Sequence, residues 1–347
     1  MMSKTPEIEI PDFKNPAKVD ARLESIVNAL GNASQIALVV EPSSHCDLQC
    51  SFCAAHSRKV RQNVFHPDTD NKKQMGHMTP ATFSDIVHKL EGLPKLKMLF
   101  FHGNGEPLLN PRLADMIGEA KAANVAEKMT VVTNGTLLTA GRLQSLIGAG
   151  VDIFRVSLDY ITPEKYKEHK GVDCVDKVIK NIEACIEYLG ENAPDIILSI
   201  DCKEWIDDKD NVEPQLISAH FGPMIAGYPN ISVRCTKEHN WIEQANGDGS
   251  TSFKRSMPCE QPFYMMMIHS DGDISMCCVD SKKELLLDNI TTVDRLATVL
   301  KSDRLKTWRK MHLEGDFTNL PACRHCNLCS SIENLLFEQR HMLSALL

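Results

Sequence analysis

The chain has 347 residues, 43% of them apolar, with 38 basic and 46 acidic side chains and a net charge of −8. That length predicts one large unit plus a smaller appendage, and the acidic balance argues against nucleic acid as a partner. No apolar run approaches the roughly 20 residues of a membrane span, and MMSKTPEIEIPDF has charges and prolines where a signal peptide carries its apolar core, so no membrane partner and a cytoplasmic location are expected.

In chain order, residues 17–30 read as a short amphipathic helix ending at Gly31, inside an N-terminal extension over 1–35. From 36 to 245, apolar runs alternate with helix-like stretches. The runs are Ile36–Val40, Met98–Phe101, Met129–Thr133, Ile153–Ser157, Ile196–Ile200 and Ile231–Val233. Val175–Leu189 is the clearest helix, with Val178, Ile182, Cys185 and Leu189 on one face. Near-continuous apolar strands separated by helices imply a parallel sheet covered by helices, with right-handed connections. Six βα units are too few for a closed eight-stranded barrel, so the expected fold is α/β, a partial (β/α)6 barrel.

Arg58, Lys59 and Arg61, followed by Lys72 and Lys73, read either as a solvated loop or as a substrate-facing basic segment. Asn246–Ser252 reads as a linker. The remainder, 246–347, is expected to form a small cysteine-rich hairpin-plus-helix domain. Phe263–His269 and Asp273–Val279 flank Ser270-Asp271-Gly272 as a β-hairpin, and helical stretches follow over Thr292–Leu300 and Arg304–Leu313. Met265, Met266 and Met267 read as packing residues of the first hairpin strand.

Thirteen cysteines are unevenly placed. Disulfides are disfavoured in the cytoplasm, so clustered cysteines point to metal or redox chemistry. Cys46, Cys50 and Cys53 directly follow the first strand. A [4Fe–4S] cluster normally takes four thiolates, and three with no fourth nearby leave one iron open to a cofactor or substrate. Structural zinc wants four closed ligands, and His45 is poorly placed beside Cys46 to complete them. The tail carries Cys259, Cys277, Cys278, Cys323, Cys326 and Cys329. Four ligands from two separated pairs suit a closed tetrathiolate site, for zinc or for an iron–sulfur cluster.

With Phe52 before its third cysteine, the C-x3-C-x2-C triplet resembles the signature of the radical S-adenosylmethionine (SAM) superfamily, over roughly residues 35–235. The second strand leads into Gly103-Asn104-Gly105-Glu106-Pro107, similar to the family's GGEP motif with Asn104 at its second position. Glycines there let the backbone approach the cofactor, and Glu106 can accept a hydrogen bond from its ammonium group. Thr133 and Asn134 end the third strand. The resemblance implies that Ser157 and Asp159, at the end of the fourth, hold ribose hydroxyls, with Ser199 and Asp201 as weaker candidates on the fifth. The implied chemistry passes one electron from the reduced cluster to bound SAM, giving a 5′-deoxyadenosyl radical that abstracts hydrogen from an unactivated C–H bond.

The C-x12-G-x4-C element from Cys259 to Cys277 makes the tail similar to a SPASM/twitch domain, shortened relative to the full pattern. This implies one auxiliary [4Fe–4S] cluster on Cys259, Cys277, Cys323 and Cys326, with Cys329 next in line and Cys278 interchangeable with Cys277. Among the remaining thiols, Cys278 and Cys329 are candidate hydrogen donors, as are Cys202 and Cys235, each against the alternative of a buried small apolar residue. The implied partners are a small polar substrate or a ribosomally made peptide, and an electron donor such as flavodoxin or ferredoxin. The resemblance extends to enzymes of the 2-deoxy-scyllo-inosamine dehydrogenase and neomycin C epimerase type. About 35 residues before the first strand are too few for a peptide-binding domain, which favours a carbohydrate or aminocyclitol. Dehydrogenation and epimerisation both stay open. An electron carrier or a zinc module, the non-enzymatic readings, fits the three-cysteine site badly.

Overall fold

The computed structural model describes residues 16–32, 34, 36–57, 76–204, 211–237, 254–328 and 332–347. Helix α1 (Pro16–Gly31) precedes six parallel strands: β1 (Ala37–Val40), β2 (Leu96–Phe101), β3 (Ala126–Thr133), β4 (Ile153–Ser157), β5 (Ile197–Glu204) and β6 (Ile231–Lys237). Between them lie α2 (Pro80–Leu90), α3 (Leu113–Ala122), α4 (Ala140–Ala149), α5 (Pro163–Lys170), α6 (Val175–Asn192) and α7 (Glu213–Ile225). The strands stand in sequence order across the sheet, which is the partial barrel the apolar runs predict.

Period-2 alternation gives each strand two different faces. One face packs Leu38, Val40, Phe101, Phe154 and Ile200 into a single core with the helices. Into it α6 sends Val178, Ile182, Cys185 and Leu189, all at 0% exposure. Each of the Val, Ile and Leu side chains contributes about 1.5–3 kcal/mol by leaving water. The other face is polar at its upper end. Arg155 stands opposite Ser199, and Asp201 opposite Arg234. That inner face is where a ligand can be met.

The tail does not stand apart from the barrel. Strand β7 (Met265–Ile268) pairs in parallel with β1, from Ala37 opposite Met265 to Val40 opposite Ile268. Antiparallel β8 (Asp273–Ser275) and then β9 (Leu286–Asn289) extend the sheet to nine strands. The hairpin forms as expected, with Gly272 in its turn at φ +89°, but its first strand covers the free edge of β1. That explains the methionines, because Met266 and Met267 are fully buried against the barrel.

The rest of the tail is helical: α8 (Gln261–Tyr264), α9 (Leu296–Leu300), α10 (Asp303–Glu314), α11 (Pro321–Arg324), α12 (Glu333–Glu338) and α13 (Arg340–Ala345). Ser302 caps α10 by accepting the Leu305 amide, and Gly315 ends it in the left-handed region. Helix α1 packs here too, with Ile26 and Leu30 against Phe263, Leu313 and Leu343. The N-terminal extension therefore joins the tail's core. The expected linker at 246–252 and basic residues 58–73 lie outside the described residues. No helix among the described residues is long and apolar enough to cross a membrane.

Candidate active site

The three N-terminal cysteines occupy the loop leaving the C-terminal end of β1, the end where parallel α/β sheets bind ligands. All three are half-buried. The loop is fastened from two sides. The Gln49 and Ser51 amides donate to the carbonyls of Lys170 and His169 at 3.0 and 2.7 Å. On the other side Asp47 accepts from Asn134 Nδ2 at 2.7 Å and from Thr136 Oγ1 at 2.5 Å. Asn134, expected as a cofactor contact, here reaches the cysteine loop itself, with Nδ2 3.9 Å from Cys46 Sγ.

The Gly103–Pro107 segment packs directly behind this loop. A Cβ on Gly105 would lie 2.3 Å from the His45 carbonyl oxygen, and one on Gly103 would lie 2.6 Å from Glu41 Cγ. The two glycines thus admit the chain's own cysteine loop, a different reason from the close approach to a cofactor that the motif suggests. Glu106 is 2% exposed. It accepts from Thr133 Oγ1 at 2.6 Å, the Leu108 amide at 3.0 Å and the Asn134 amide at 2.8 Å. Burial pushes its carboxyl up to about 7 against those three donors. Pro107 is buried and opens the short 3-10 turn that Glu106 caps.

Glu41, which the sequence reading passed over, joins the two halves. Its carboxylate takes the Asn104 amide at 2.6 Å and the Ser270 amide at 3.0 Å, with His269 Nδ1 at 3.7 Å. Burial alone would raise its pKa. His269 and the two amides outweigh that and hold it below the usual carboxylate range. Asn104 also accepts from Ser281 Oγ at 2.7 Å, so one motif residue touches β1's loop on one side and the tail on the other.

Asp159 has φ +61° and 1% exposure. Its carboxylate is paired with Lys170 Nζ at 2.5 Å, and Lys170 also donates to the Ser157 carbonyl at 3.1 Å. Lys170 lies 5.3 Å from the centre of the Phe52 ring. This buried pair sits under the cysteine turn. Burial pushes the Cys50 thiol up to about 12 while Lys170 pulls it back. Ser199 donates to Asp201 at 2.6 Å. Cys202 and Cys235 face each other across β5 and β6, both within the apolar core on the helix side.

In the tail, Cys259, Cys277, Cys323 and Cys326 line one cavity, together with Arg255, His312 and Met276. Cys278 is half-buried and is not among the lining residues. Cys329 lies outside the described residues. Arg255, 4% exposed, ties the chamber together by donating to the Cys326 carbonyl at 3.1 Å and to Glu333 at 3.1 Å. His312 Nδ1 accepts from the Cys259 amide at 3.3 Å, which leaves the proton of the neutral ring on Nε2. That Nε2 is buried and has no partner among the described residues.

A sequence profile of the Radical SAM superfamily matches residues 40–200, and the SPASM profile, described as an iron–sulfur cluster-binding domain, matches residues 259–327. Residues 40–200 thus form a radical SAM domain, and residues 259–327 a SPASM domain. The chain is 22% identical over 288 residues to an S-adenosyl-L-methionine-dependent 2-deoxy-scyllo-inosamine dehydrogenase of Niallia circulans, covering 83% of this chain and 91% of that one. It is 30% identical over 162 residues to a tungsten-containing aldehyde ferredoxin oxidoreductase cofactor-modifying protein of Pyrococcus furiosus, and there spans only 41% of the relative's length. The fold is similar to that of BtrN in complex with AdoMet and 2-DOIA, with a TM-score of 0.58, 20% identity and coverage of 85% and 94% of the two chains. It is also similar to Streptococcus suis SuiB bound to precursor peptide SuiA, with a TM-score of 0.53, 16% identity and coverage of 85% and 72%.

A radical SAM enzyme with a SPASM region uses a SAM-binding [4Fe–4S] cluster and an auxiliary iron–sulfur cluster. The residues present fit both. Soft thiolates suit iron–sulfur or zinc. Three thiols on one open loop and four lining one chamber match the donor sets of a cluster with one open iron and of a closed cluster. The chamber also presents the His312 N–H, which has no partner among the described residues and is a donor suited to a cluster sulfur.

Proposed function

We propose that this enzyme abstracts hydrogen from a C–H bond of a small polar substrate, carbohydrate-like or aminocyclitol-like, leading to dehydrogenation or epimerisation. The observation that carries the reading is the pairing of two unlike thiol sites on one continuous sheet. An open loop of three stands at the barrel's mouth, and a closed chamber of four lies beyond β7. The likeness to the inosamine dehydrogenase runs across both regions and supports the same reading.

In this proposal Cys46, Cys50 and Cys53 hold the SAM-binding cluster, and Cys259, Cys277, Cys323 and Cys326 hold one auxiliary [4Fe–4S] cluster. When loaded, the first supplies a hydrogen-abstracting radical from SAM and the second a store for an electron. The chain's own residues position and shield. Asp47, Asn134 and Thr136 fix the cysteine loop, Glu106 fixes the turn behind it, and Phe52 with Lys170 closes its underside. Ser157, Thr133 and Ser199 line the strand ends as candidate cofactor contacts. An electron donor of the flavodoxin or ferredoxin kind would reduce the protein in the cytoplasm, where free thiols persist.

The test is release of 5′-deoxyadenosine by anaerobically reconstituted protein with SAM, a strong reductant and producer-cell extract. Stimulation that survives exhaustive protease treatment of the extract supports a small substrate. Stimulation abolished by protease supports peptide maturation instead. Release no greater than that of the Cys46/Cys50/Cys53→Ala variant sinks the proposal. Cys278→Ser separates the outcomes further, because an epimerase that draws its hydrogen from Cys278 would stop after abstraction.

A further inference from the structure

We propose that Arg155 and Arg234 form an anion-binding site on the inner face of β4–β6, and that the substrate carries a carboxylate or phosphate group held there. The assignment to substrate rests on the radical SAM reading above; the anion site itself does not.

Arg155, Ser199, Asp201 and Arg234 share the face that alternation turns away from the helices, while Val156, Ile200 and Val233 fill the core on the other side. Asp201 Oδ2 accepts from Arg155 Nε at 2.8 Å and Nη2 at 2.5 Å. Arg234 reaches the same carboxylate, with Nε 3.2 Å from Oδ1 and Nη2 3.0 Å from Oδ2. Ser199 takes a further lone pair of Oδ1.

Two cations therefore share one anion, and the cluster keeps one positive charge in excess. A purely structural ion pair needs only one arginine. Bringing in a second guanidinium adds repulsion and desolvation, set against only a share of a carboxylate that Arg155 already engages. The effect is visible on Arg155, whose pKa is drawn down first by burial and further by Arg234, against the pull of Asp201.

Among the described residues, neighbouring charges do not absorb the surplus. Asp159 is spent on Lys170, and Glu41 on His269 and two amides. His102, beside Arg155, is held neutral down to about 4 by burial and by that guanidinium. The Nη1 groups of both arginines have no partner among the described residues, and the side chains are 31% and 26% exposed. Free N–H groups of two planar forks, reachable from the lumen, match the oxygens of a carboxylate or phosphate. A substrate whose only charge is an ammonium would be repelled, which narrows the small polar class to acidic members.

The test follows thermal unfolding of the anaerobically reconstituted enzyme in inorganic phosphate, in acetate and in chloride at matched ionic strength. Phosphate also stabilises proteins non-specifically, so the comparison is between wild type and Arg234→Gln. A weak specific site predicts an extra rise of about 2 °C in wild type, lost in Arg234→Gln and partly kept in Arg234→Lys. A response to only one of the two anions names the group. Equal responses in wild type and Arg234→Gln, or no response to either anion, would overturn the site. SAM affinity falling tenfold or more in Arg234→Gln would assign the pair to SAM's own carboxylate and overturn the link to substrate. Absence of 5′-deoxyadenosine from wild type beside an intact anion response would overturn the radical reading and the word substrate while leaving the anion site standing.

Discussion

The two thiol sites differ in almost every physical respect. The barrel site offers three half-buried cysteines on a loop pinned by side chains, in a barrel whose inner face carries Arg155 and Arg234. The tail site offers four buried cysteines in a chamber closed by Arg255 and His312. An open site leaves room for a reacting partner; a closed one excludes it and retains charge. The contrast teaches that a cysteine count alone does not assign a role, whereas the number of thiols converging and their access to solvent do.

The sharpest break of this contrast is removal of the open site. Cys46/Cys50/Cys53→Ala should abolish 5′-deoxyadenosine release and lower bound iron by roughly half, read by product assay and iron analysis of reconstituted protein. Cys259→Ala should lose a similar share of iron yet retain SAM cleavage. Simultaneous loss of both activities would mean that the sites are not independent.

Glu41 tests the join between the regions. Glu41→Ala leaves the Asn104 and Ser270 amides buried without an acceptor and strands His269, so a loss of about 3 kcal/mol is expected in denaturant unfolding. A change near zero would show that the two halves hold together without it.

His102 predicts a pH effect on the barrel side. Its folded pKa, about 4, lies below the unfolded value of 6.5. Between those values the unfolded chain binds the extra proton, so stability falls as pH drops through that window. His102→Gln should flatten the slope there, measured as melting temperature against pH. The smallest effect is expected in the chamber. His312→Phe removes the N–H that has no partner among the described residues, and the auxiliary cluster's midpoint potential should fall by some tens of millivolts in an EPR-monitored redox titration, since donors to sulfur raise it.

Much of this was legible before any coordinates. The alternation in Ile153-Phe154-Arg155-Val156-Ser157 announces a strand with one polar face, and the six runs place all six barrel strands. The four tail cysteines that the SPASM resemblance implies do line one chamber. Other features were hidden for identifiable reasons. Glu41 follows an apolar strand and looks like a loop residue, and its partners lie 63 and 229 positions away. Asp159 reads as a ligand contact until Lys170, eleven positions on, is seen to hold it. Arg234 looks like an ordinary strand residue until Asp201 stands opposite.

The sequence by itself determined the fold class and the two groups of thiols, because period and spacing are local properties that survive without neighbours. The tertiary structure decided that β7 joins the barrel at β1, that Gly103 and Gly105 serve the cysteine loop, and that two arginines share one aspartate. Each of these depends on contacts between segments distant in the chain, and spacing within one segment carries no record of which other segment will fold against it.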